Sequence, residues 1–84
     1  MLKILRTTDG THVVFVLSGR IEAEHLTELG ALLDAEPCAA LDLREVTLVD
    51  RDTIRFLCRC QAQRVELRNC PAYIRQWIET EDRG

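Results

Sequence analysis

Leu2, Ile4 and Arg6 alternate with Lys3 and Leu5, which predicts an extended strand over residues 2–8. Asp9-Gly10 separates this run from a second β-like run. An Asp-Gly pair in that position is a strong hairpin signal, because glycine accepts the positive φ that tight hairpin turns need. The second strand is predicted from Thr11 to Leu17. Val13, Phe15 and Leu17 face one way, Val14 and Val16 the other. Both faces are apolar, so this strand belongs in the interior of a sheet. Ser18-Gly19 is expected to end it.

The period then changes from two to about 3.6. Leu26, Leu29 and Leu33, with Leu32 beside them, predict a helix over roughly 22–34. Gly30 inside it costs about 1 kcal/mol relative to alanine, and close packing is the expected reason for its presence. Pro37 stands beyond the expected helix end. Ala39 to Leu43 reads as a short strand, and Val46-Thr47-Leu48-Val49 as a second β-like patch. That patch runs straight into Asp50, a good N-cap because its carboxylate accepts bonds from the free amides of a first helical turn. The helix it starts is predicted over 51–63. Ile54, Leu57, Cys58 and Gln61 or Ala62 form its inner stripe, which puts Cys58 in the core and Cys60 partly outside. Val65 to Arg68 is a last short strand. Asn69-Cys70-Pro71 opens the final helix, with proline in the permitted first turn. Tyr73, Ile74, Trp77 and Ile78 form its apolar stripe, and residues 79–84 are expected to fray.

The resulting order is β-β-α-β-α-β-α, an α/β fold with a mixed four-stranded sheet and helices packed on it. A chain of 84 residues is one domain, 1–84. It buries only about 60–65% of its unfolded surface, which leaves little volume for a deep substrate cavity.

Eleven basic residues are scattered among fourteen acids, for a net charge of −3. This lacks the basic stripe of a nucleic-acid binder and disfavours anionic membrane surfaces. Neither a signal-peptide stretch nor an apolar run long enough to cross a bilayer is visible. Cytoplasmic location is therefore expected, with Cys38, Cys58, Cys60 and Cys70 reduced. Cys58-x-Cys60 puts its thiols on different faces of a helix and is neither a metal pair nor a redox motif. His12 and His25 are isolated, and Ser18 is the only serine. No metal, no cofactor and no catalytic set is expected. A helix N-terminus attracts anions, but Asp50 and Asp52 would repel one there.

Leu17-Ser18-Gly19-Arg20-Ile21, then a leucine-patterned helix, then Leu41-Asp42-Leu43-Arg44-Glu45-Val46-Thr47-Leu48-Val49-Asp50-Arg51-Asp52-Thr53-Ile54 with Phe56-Leu57, resembles the STAS domain. This is the family of anti-sigma factor antagonists, which includes the cytoplasmic tails of sulfate transporters. The likeness covers about residues 11–78. It implies a STAS-like fold and a non-catalytic, protein-docking role in bacterial signal transduction and transcription regulation. In the family, the loop before the second helix carries a serine that a partner kinase, itself an anti-sigma factor, phosphorylates. Asp50 matches the motif aspartate. Arg51 replaces its first serine, Asp52 the phosphorylated serine, Thr53 the glycine and Ile54 the leucine. Asp52 cannot accept a phosphate from a serine kinase, and it carries about −1 where phosphoserine carries roughly −1.5 to −2. Thr53 points elsewhere on the helix, about 100° away, and adds a branched side chain where glycine would let a partner approach.

The resemblance thus implies a docking module without the usual phospho-switch. Its partner-binding residues would be Asp50, Arg51, Asp52, Thr53, Arg55 and Arg20. The partner would be an anti-sigma factor or serine-kinase-like regulator. Alternatively, the chain would be a small STAS-like subunit resting on the ATPase of a lipid-transporting ABC complex.

Overall fold

The computed structural model describes residues 2–83, with the side chains of residues 82 and 83 left aside. Strand β1, Leu2–Thr8, pairs antiparallel with β2, Val13–Ile21. Between them, the Asp9 N–H donates to the His12 carbonyl at 3.1 Å, and the His12 N–H donates to Asp9 Oδ1 at 3.0 Å. Gly10 takes a φ of +94° in this turn. The hairpin is as predicted. Its second strand, however, does not stop at Ser18-Gly19 but continues to Ile21. Gly19 adopts a φ of +94° inside it. The breaker residue therefore serves a bulge, not a strand end.

After β2 come a single 3₁₀ turn, Ala23–His25, and helix α1, Leu26–Asp34. Strand β3, Ala39–Val49, joins both β-like patches of the sequence into one strand of 11 residues. It pairs parallel with β2, and the register slips twice, between Val16 and Ser18 and between Gly19 and Arg20. Each slip places one extra residue on β3. Helix α2, Arg51–Ala62, leads to the short strand β4, Glu66–Arg68, parallel to the first half of β3. Helix α3 runs from Ala72 to Arg83. Residues 79–83 are helical, where fraying was expected. Glu81 anchors this end by ion pairs to α2.

The sheet order is β1-β2-β3-β4. Both parallel crossovers step in the same direction, and right-handed connection puts α1 and α2 on one face. The core agrees. Phe15, Leu17, Leu41 and Leu43 pack with Leu29 and Leu33 of α1, Ile54 and Leu57 of α2, and Ile74 and Ile78 of α3. Among the described residues no helix packs on the other sheet face. Val14 and Ala40 are buried outside this core. Arg68 forks between Asp9 and Glu66, and Asn69 donates to Asp42 at 3.1 Å.

Two further expectations change. The inner stripe of α2 is Thr53, Ile54, Phe56, Leu57 and Cys60, while Cys58 is only half-buried and Gln61 and Ala62 are exposed. The cysteine assignment is reversed because Thr53 turns inward and rotates the buried face. Close packing also does not account for Gly30. A β-carbon built there meets only the Phe56 ring edge, at 3.8 Å. Gly30→Ala is therefore expected to stabilise the fold by about 0.5–1 kcal/mol, seen as a higher urea midpoint at an unchanged slope.

Candidate functional site

The C-terminal ends of β2 and β3 lie side by side, with Ile21 opposite Val49. The chain leaves β3 directly into α2 through Asp50, which is extended (φ −103°, ψ 177°). Its Oδ1 accepts from the Thr53 N–H at 2.8 Å and lies 2.7 Å from the Thr53 hydroxyl. Its Oδ2 accepts from the Ala23 N–H at 3.1 Å. One carboxylate thus caps α2 and ties it to the loop after β2. Burial raises the Asp50 pKa, but the bonds from Thr53 and Ala23 outweigh it and hold the group below its ordinary value.

Thr53 is fully buried. Its hydroxyl lies between Asp50 and the Ile21 carbonyl, 3.2 Å away. It braces the loop from inside and does not join a docking surface. Of the other residues singled out by the sequence, Arg20 and Asp50 line one depression, and Arg51 and Arg55 both reach Glu81. Asp52 is exposed in the first turn of α2, and among the described residues no hydrogen bond or ion pair engages it. Arg51 Nε donates to Glu81 Oε1 at 3.1 Å, and Arg55 Nε lies 3.7 Å from Glu81 Oε2. Arg20 pairs with Glu22 at 3.7 Å.

Sequence reasoning missed three members of this surface. Leu48 is 49% exposed. With Arg20, Ile21, Glu22, Val49 and Asp50 it lines a shallow depression of about 220 Å³. Tyr73 is also exposed, and its hydroxyl donates to the Thr47 carbonyl at 3.3 Å. Glu81 holds both arginines from α3. The outward position of Leu48 follows from the β3 bulges and has no local signal. The role of Glu81 is a contact across 30 residues and has none either.

Among the described residues no three of His, Cys, Asp and Glu cluster as metal ligands, and no helix is long and apolar enough to cross a membrane. The arrangement offers an isolated carboxylate, held arginines and one exposed leucine. That combination suits recognition of a complementary surface.

No protein-family model matches the chain, and no curated protein matches it. Among solved structures, one described as a crystal structure analysis of Mglu is 25% identical, with a TM-score of 0.58. The match covers 81% of this chain and 19% of that one, so this chain spans about a fifth of its length. The likeness is to a small α/β fold with a mixed sheet.

Asp50→Ala should cost about 1–2 kcal/mol in denaturant unfolding, and Thr53→Val should be non-additive with it. Because the folded Asp50 pKa is lowered, its stabilisation is present above the unfolded value near 3.8 and lost as pH falls through the folded one. Asp50→Asn should therefore flatten the acid limb of the stability curve below about pH 4. Thiol labelling gives a second check. Cys60 is buried and its pKa is pushed up to about 11, so iodoacetamide at neutral pH should modify exposed Cys38 long before Cys60.

Proposed function

We propose that the chain is a non-catalytic, STAS-like docking module that binds a protein partner through the N-terminal end of α2. The observation that carries this reading is the exposed Asp52, without a partner among the described residues, two residues after Asp50, which lines one depression with the exposed Leu48. Burying an apolar knob supplies affinity, and an adjacent charge supplies orientation and selectivity. The docking face comprises Asp52, Arg51, Arg55, Arg20 and Leu48. Asp50 and Thr53 set its shape from behind. The sharing of this fold with part of a much longer chain fits a module that serves something larger.

At the position where the resembling family carries its switch serine, Asp52 supplies a permanent negative charge of about −1. The module is then held near the modified, released state towards an anti-sigma or serine-kinase-like partner. Its control would come from partner abundance and not from phosphorylation.

Affinity capture with wild type and Asp52→Ser as parallel baits tests this. A kinase-like anti-sigma protein retained more strongly by Asp52→Ser is the expected result. With that partner purified, Leu48→Ala should weaken binding by about tenfold, the order expected for a central apolar contact. Equal retention of ABC-transporter ATPase subunits by both baits would replace this reading with the structural-subunit one.

A further inference from the structure

The outer edge of β1 lies away from the α2 docking face, at the end of the sheet. It is seven residues long, has no proline, and pairs with β2 without a register break. An uninterrupted edge of this kind is a template for another strand. The hydrogen-bond phase can be read from the turn. The Asp9 N–H donates to the His12 carbonyl and so faces β2, and Thr7, Leu5 and Lys3, at steps of two along the strand, direct their backbone groups to β2 as well. The Val13 N–H donates instead to Cys38, at 2.9 Å, which confirms the phase. Leu2, Ile4, Arg6 and Thr8 therefore present their N–H and C=O groups outward.

We propose that this edge binds the same edge of a second copy, antiparallel and centred on Leu5, joining two sheets into one of eight strands. The sequence is self-complementary in that register. Ile4 stands opposite Arg6, and Leu2 opposite Thr8, in the bonded pairs. Leu5 meets Leu5 of the other copy, and Lys3 meets Thr7, in the close non-bonded pairs. No like charges face each other directly. Arg6 is already held by Glu36 at 3.3 Å, which reduces its repulsion. Leu5, 59% exposed, is the most exposed large apolar side chain among the described residues, and this pairing covers it. Centring on Arg6 would oppose two guanidinium groups, and centring on Ile4 would pair only five of the seven residues.

Sedimentation equilibrium from about 1 μM to about 1 mM, the range suited to a small interface, should show the mass doubling. Leu5→Lys places two cations face to face and should abolish the rise, while far-UV circular dichroism stays unchanged. Register is tested in a Cys38→Ser background. Leu5→Cys should form an intermolecular disulfide under mild oxidation, because its Cα would lie about 4.5 Å from its twin. Lys3→Cys should not, because its twin lies several residues away. A constant monomer mass across the range overturns the proposal. So does a dimer that Leu5→Lys leaves intact, or equal cross-linking at positions 3 and 5.

Discussion

The two parallel crossovers set the structure. From β2 to β3 and from β3 to β4 the chain steps the same way across the sheet, so both connecting helices must lie on the same face. One face of the sheet then receives the main apolar cluster. The ends of β2 and β3 lie together, and the loops that leave them are neighbours. Asp50 uses that adjacency. It is a helix cap that also accepts a bond from the loop 27 residues earlier, so α2 cannot tilt without disturbing the turn before α1. The proposed docking face would inherit its rigidity from this joint.

Much of this was legible in the sequence because it is local. Asp-Gly between two β-like runs marks a hairpin, and two apolar faces mark a central strand. An aspartate ahead of a 3.6-residue period marks a cap. The missed parts depend on a partner strand or on a distant helix. Arg44-Glu45 interrupts β3 chemically, so it reads as two patches, yet parallel pairing to β2 carries it through. Simple alternation would put Val46 with Leu48 and Thr47 with Val49. The bulge breaks that parity, burying Val46 and Val49 and turning Thr47 and Leu48 out. The resemblance places Thr53 among the partner-binding residues, yet it is buried, with two acceptors at its hydroxyl. Its burial moves the inner stripe of α2 from Cys58 to Cys60.

The site is equally non-local. Asp52 gains its character from what its neighbours do elsewhere: Arg51 and Arg55 lean to Glu81 on α3, which leaves the carboxylate without a partner among the described residues. An arginine already held in place loses less freedom when a partner arrives. The last turns of α3, which sequence alone reads as frayed, thereby become part of how α2 presents itself.

The two faces of the sheet are covered by different means. One is covered by helices and hydrocarbon, while the other carries a polar network in which Arg68 holds Asp9 and Glu66. Ions in solution act on them in opposite ways. Dissolved salt screens exposed charge pairs, while excluded salts such as sulfate strengthen apolar burial. As the concentration of an excluded salt such as sulfate rises, the hairpin and β4 lose part of their tie across the face without helices while the helical side tightens. The small domain is thus a bilayer of two chemistries, and its solvent composition decides which side is the firmer.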